Sequence, residues 1–150
     1  MHRFQFFQDL NLVVHQYGDR IGDADLLQHL LTVYDHPDFR SAMDVLSSFL
    51  NTSDVGVTAG GLRDVGQAVS ARVGADAPPN LVGVVTRTRL GHGLTRLYAA
   101  YADRGGAATV RIFDTFEEAA DWLDLTRARL PGTTTAAVQP FLTAAEPHRP

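Results

Sequence analysis

The sequence predicts an α/β domain: a mixed sheet of about five strands with about four helices. Three features point to it. From Leu81 to Leu123 the chain alternates an apolar run, a helical stripe, a second β-favouring run and a capped helix. Near the N-terminus, Phe4–Phe7 and Leu12–Tyr17 are short β-favouring runs separated by Gln8-Asp9-Leu10-Asn11, the pattern of a hairpin. With 150 residues, 45% of them hydrophobic, the chain is long enough to bury roughly 70% of the surface its unfolded form would expose.

After the hairpin, Gly18–Gly22 reads as a turn, and Asp23 is placed to cap a helix whose Leu27, Leu30, Leu31 and Tyr34 recur at helical spacing. Pro37 ends that helix, because proline disfavours helical geometry in the residue before it. Met43–Leu50 carries apolar residues on both faces and so predicts a strand inside the sheet. Asn51–Gly61 is a polar, glycine-containing loop. A helix comes next, with Leu62, Val65, Val69 and Val73 on one stripe, and the chain then breaks at Ala75–Pro79.

Leu81–Thr86 is a nearly continuous apolar strand, as expected where helices cover both faces. Gly91-His92-Gly93 leads into a helix with Leu94, Leu97, Tyr98 and Tyr101 on its buried stripe, stopped by Gly105-Gly106. Thr109–Phe113 is the last strand. Thr115 and Glu118 fit a capping box, ahead of a helix that turns Phe116, Ala119, Ala120 and Leu123 inward with Trp122 beside them. Residues 1–125 thus form the domain. Residues 126–150, rich in proline, threonine and alanine, read as a flexible tail that buries too little to offset its ordering entropy.

Composition narrows the function classes. The net charge of −4 argues against non-specific nucleic-acid binding, which needs a basic face. All 13 basic residues are arginine; we read this as genome composition and draw no function from it. There is no cysteine, hence no disulfide, thiolate metal site or cysteine nucleophile. No apolar run approaches the ~20 residues of a membrane span. The N-terminus lacks the apolar stretch of a signal peptide, which makes the cytoplasm the expected location.

The second half of the chain carries a resemblance. Val84-Val85-Thr86, then Gly93-Leu94-Thr95-Arg96-Leu97-Tyr98, then Val110 through Leu123 with Phe113, Glu118, Ala119, Trp122 and Leu123, resemble the SpoIIAA-like (STAS/SEC14-like) family of small bacterial domains. The order of elements is also compatible with the STAS fold. The similarity spans Leu81–Leu123 and is only architectural over Phe4–Val73. It implies a non-enzymatic binding or regulatory domain that takes an apolar or lipid-like ligand or a protein partner, with no cofactor. A homodimer is compatible with it.

Three places could carry chemistry. The exit loop of the fourth strand and the helix start after it hold Arg87, Arg89, His92, Gly93 and Arg96. Strand carboxyl ends favour ligands, and a helix N-terminus with arginines suits an acidic headgroup or partner side chain. A solvated turn with ordinary surface arginines explains the same residues. Thr52 and Ser53 occupy the place where anti-sigma-factor antagonists carry a phosphorylated serine, but the Asp-Ser-Ser-Gly motif is absent and both hydroxyls suit turn capping. They leave a partner-switching regulator as the alternative. The histidines (His2, His15, His29, His36, His92 and His148) show no i, i+4 pair or His-Glu-x-x-His motif, and His29 reads as a boundary residue beside the leucine stripe. There is no Gly-x-Ser-x-Gly elbow. The sequence therefore points away from an enzyme and assigns neither catalytic nor metal residues.

Overall fold

The computed structural model describes residues 2–73, 79–103 and 108–143. Strands β1 (Arg3–Phe7) and β2 (Leu12–Gln16) form the predicted hairpin, closed by a 3-10 turn at Gln8–Leu10. Asn11 takes the left-handed conformation that ends that turn, at φ 49°, as its short polar side chain allows. Next come β3 (Arg20–Gly22), α1 (Asp23–Tyr34), β4 (Asp44–Ser48), β5 (Asp54–Gly56) and α2 (Ala59–Val73). The chain continues through β6 (Asn80–Val85), α3 (Arg89–Asp103), β7 (Ala108–Phe113), α4 (Phe116–Thr126) and α5 (Thr133–Thr143).

The main sheet has the order β1-β2-β4-β6-β7, antiparallel at β1–β2 and parallel elsewhere. From β2 onward each new parallel strand is added on the same side of the last. Right-handed crossovers laid down in one direction place every connecting helix on one face. Helices α1, α2 and α3 accordingly cover the face carrying Val13, Val45, Val82 and Val84. The opposite face, with Leu12, Val14, Leu46, Leu81 and Val85, is left to the helices that come after β7.

That topology explains the main departure from the sequence reading. Residues 126–143 are not a free tail. Helix α5 docks with Val138 fully buried and Phe141 nearly so, beside Phe7 and Leu142 in the α4 core. Arg3 fastens it by donating to the Phe141 carbonyl at 2.8 Å and lying 4.2 Å over its ring. Asp124 holds the other end, accepting from the Thr134 amide at 3.1 Å and its hydroxyl at 2.6 Å, with Arg129 donating at 3.1 Å. Burial alone would raise the Asp124 pKa, but these hydrogen bonds and the Arg129 charge hold it below the usual range. Arg127 reaches the buried Asp44 with two hydrogen bonds, at 2.9 and 2.7 Å. The domain therefore extends past residue 125.

Smaller differences arise from tertiary pairing. Gly18–Gly22 and the Asn51–Gly61 loop each contribute a short strand, β3 and β5, paired parallel as a second sheet. Asp23 is not the cap of α1; Asp25 accepts from the Gly22 amide at 3.1 Å instead. Asp23 binds the Thr58 amide at 2.7 Å and hydroxyl at 2.6 Å, tying the start of α1 to that of α2. Helix α3 begins at Arg89, ahead of the glycines, with the Thr88 hydroxyl accepting from the Gly91 amide at 2.9 Å. Thr115 caps α4 as predicted, accepting from the Glu118 amide at 3.2 Å, while its own hydroxyl donates to the Glu118 carboxylate at 2.9 Å. The Ala75–Pro78 break, Gly105-Gly106 and residues 144–150 lie outside the described residues.

Candidate functional site

Three residues stand immediately past the carboxyl ends of parallel strands: Tyr17 after β2, Phe49 after β4 and Thr86 after β6. Each continues its ladder by one amide, Tyr17 to the Ser48 carbonyl (3.0 Å), Phe49 to Val85 (2.9 Å) and Thr86 to Phe113 (3.0 Å). Their side chains line a cavity of about 110 Å³ between the sheet and the α1–α3 layer. Val45, Ser47, Val82 and Val84 line it from the sheet; Leu26, Leu30, Tyr34, Leu62, Val65, Leu94, Thr95 and Tyr98 line it from the helices. Val55 and Val57, from β5 and the segment after it, close one end. Ligands of open α/β sheets favour this carboxyl edge.

The cavity wall is apolar with hydroxyls set into it. Thr95 and Thr52 turn their protons onto backbone, Thr95 to the Gly91 carbonyl (2.7 Å) and Thr52 to Gly18 (2.7 Å). Gly91 is required where it stands, because a Cβ there would overlap the Thr86 side chain. Burial pushes the phenols of Tyr17, Tyr34 and Tyr98 up, and mutual repulsion with Tyr98 pushes Tyr17 and Tyr34 further; a hydrogen bond with Ser47 offsets part of the rise at Tyr17. All three phenols are neutral at physiological pH. Among the described lining residues only Thr88, just ahead of α3, is largely exposed.

None of the predicted site residues of the β6 exit loop and the start of α3 lines that cavity. Arg87, Arg89 and Arg96 are exposed, and Arg87 donates to the Asp114 carbonyl at 3.1 Å. Gly93 is exposed with open space where a side chain would stand. His92 is a strut: its Nε2 donates to the Thr86 carbonyl at 3.1 Å and lies 3.7 Å from the Asp114 carboxylate. The same segment does reach the cavity, through Thr86, Thr88 and Gly91 instead of the arginines. Thr52 is buried in the cavity wall with its hydroxyl already donating, and Ser53 is exposed, 3.4 Å from the Asp19 carbonyl.

Behind Tyr17 lies a buried pair that the sequence did not disclose. His15 Nδ1 and His29 Nε2 face each other at 2.8 Å, so one carries a proton and the other does not. His15 is fully buried, and its Nε2 has no hydrogen-bond partner among the described residues. Burial pushes the pKa of His15 well down and that of His29 to about 4, with repulsion from His29 adding at His15 and from His2 adding at His29. His29 is thus a core residue, not a boundary one. The most buried positions of α1 are Leu26, His29 and Val33, and Leu27, Leu30 and Tyr34 of the predicted stripe also face inward, packed on the core or lining the cavity. Tyr17 packs on both rings, at 6.0 and 5.0 Å between centroids, and stacks on Phe49 at 4.4 Å.

Among the described residues no three His, Asp or Glu are placed to hold a metal ion, and no helix is long and apolar enough to cross a membrane. No family model, curated protein or solved structure matches the chain.

Proposed function

We propose that this domain binds a small, largely apolar ligand in the cavity between its sheet and the α1–α3 layer. The observation that carries the reading is the cavity itself: about 110 Å³, at the strand carboxyl ends, walled by valine, leucine and aromatic side chains. Protein interiors are packed with few voids larger than a water molecule, and apolar pockets with a few placed polar groups are the usual form of small-molecule sites. The resemblance over Leu81–Leu123 supports the same class, a binding domain for an apolar ligand. Size narrows the choice. An engineered apolar cavity of ~150 Å³ accommodates benzene, so the ligand is compact, or a short segment of a larger lipid-like molecule. Arg87 and Arg89 stand on either side of Thr88, the exposed lining residue.

Native mass spectrometry of the gently purified protein tests this. A bound mass is expected, released on denaturation and absent from a Leu94→Trp variant that keeps its thermal transition. Absence of any bound mass, together with unshifted cavity amides when small hydrocarbons are added, sinks the proposal.

A further inference from the structure

The cavity carries a chemical preference beyond being apolar. Among the described residues, none of its twenty lining residues is Asp, Glu, Arg or His. A charged ligand would therefore be stripped of water with no counter-charge, the costliest form of burial. Not all of the wall is inert, however. Tyr34 lines the cavity from α1 and Tyr98 from α3, and neither phenol has a hydrogen-bond partner among the described residues. Neither oxygen is sealed in the packed interior, where His15 Nε2 is the sole buried side-chain atom left unpaired among the described residues. Both hydroxyls are therefore accessible, on side chains that line the cavity. This differs from Thr52 and Thr95, whose hydroxyls are already committed to backbone carbonyls.

A phenol donates one proton, and a carbonyl oxygen has two lone pairs to receive two such donors. Burial keeps Tyr34 and Tyr98 protonated, so both remain donors across the physiological range. We infer that the ligand is a compact, uncharged molecule whose apolar body fills the valine- and leucine-lined space and whose single acceptor oxygen, of ketone or aldehyde type, receives the Tyr34 and Tyr98 hydroxyls. This rests on the cavity being the binding site and adds the selection of one polar group within it.

Three probes of similar size separate the possibilities: cyclopentanone, cyclopentane and cyclopentanecarboxylate, titrated into 15N-labelled protein while the amides of Phe49, Thr86 and Thr95 are followed. The ketone should bind about tenfold tighter than the hydrocarbon, the factor expected for gaining well-placed neutral hydrogen bonds. The carboxylate should leave the amides unshifted. Tyr34→Phe and Tyr98→Phe, which keep the ring and the fold, should each bring the ketone toward the affinity of cyclopentane without weakening cyclopentane. Equal affinity for ketone and hydrocarbon, or carboxylate binding at those amides, overturns the selection while leaving the cavity as a site. Failure of all three probes to shift those amides overturns both the selection and the proposed function.

Discussion

The two faces of the sheet are built from the same strands and packed in opposite ways. On the α4–α5 face, Leu12, Val14, Leu46, Ala119, Ala120, Leu123 and Val138 have no measurable exposure, and Gly83 lets Leu46, Trp122 and Ala119 close over the centre of β6. On the α1–α3 face the strands offer His15, Ser47 and Thr86 among their valines, and three tyrosines take part in lining an internal space. Alternation along one strand separates the two: in β6, Leu81, Gly83 and Val85 serve the closed face, and Val82 and Val84 serve the open one. The closed face supplies stability. The open face leaves room that packing alone would have filled, and the proposed binding rests on this contrast.

Removing the closed face's cover should have the largest effect. Ending the chain at Thr126 deletes α5, with buried Val138 and Phe141, and also Arg127 and Arg129, the partners of Asp44 and Asp124. Each large apolar side chain contributes about 1.5–3 kcal/mol of burial, and unpaired buried carboxylates add to the loss. The expected deficit of more than about 5 kcal/mol approaches the whole stability of a domain this size. Circular dichroism should show no cooperative thermal transition. A truncated chain that melts like the full one would return α5 to the status of a dispensable tail.

Next in size is a matched pair of truncations. Leu123 is fully buried in the α4 core, and Leu123→Ala should cost about 3 kcal/mol through lost transfer energy and a new void. Leu30 is half-buried and already borders the cavity, so Leu30→Ala should cost about 1 kcal/mol, with fewer contacts to lose. Urea unfolding measures both. Equal costs would mean that the α1–α3 face is packed as tightly as the other.

The histidine pair extends the contrast to pH. His15 and His29 titrate lower in the folded state than in the unfolded chain, where the value is near 6.5. Between about 4, the folded value of His29, and 6.5 the unfolded state binds more protons, so stability falls as pH falls through that window and is complete above it. From pH 7.5 to pH 5, His29 alone should remove about 2 kcal/mol, with His15 acting in the same direction. His29→Gln should flatten much of that slope. A wild-type protein equally stable at both values would contradict a neutral buried pair. The Asp124 carboxylate acts elsewhere: its folded pKa is depressed, so its contribution is present above pH ~4 and is lost as pH falls further.

Legibility in the sequence divides along the same line. The α4 helix was legible because Thr115, Glu118, Ala119 and Leu123 state cap and stripe locally. Helix α5 was not, because Thr134, Val138 and Phe141 lie among threonines and prolines, and the need to cover β1 and β2 arises only from the one-directional strand order. The Thr86–Gly93 loop was legible as a site by its position after a strand. Charge makes its arginines conspicuous, whereas Tyr98 reads the same at helical spacing whether it fills a core or borders a cavity. The His15–His29 contact joins residues in different elements, so no spacing announces it. The one local signal was available and general: Tyr17, Phe49 and Thr86 each stand at or beside the carboxyl end of a predicted strand, and each directly follows an observed one.

The smallest expected effect discriminates best, because the two faces should respond with opposite signs to added carbon. At Gly83 a Cβ would already stand 3.1 Å from Leu46 Cδ1, 3.6 Å from Trp122 and 3.7 Å from Ala119. Gly83→Val adds two more methyls to that contact and should destabilise by about 1–3 kcal/mol, as overpacking does. Val65 is buried in α2 and borders the cavity. Val65→Ile adds one methyl group where there is space, and should stabilise by up to about 0.8 kcal/mol, the value of one buried methylene. Thermal denaturation of the two variants gives the signs directly, and ligand titration of Val65→Ile gives the functional counterpart. If the added methyl group both stabilises the fold and weakens probe binding, the space is held open at a stability cost that binding recovers. If it destabilises as Gly83→Val does, the α1–α3 face has no room to give, and the distinction between a closed and an open face fails.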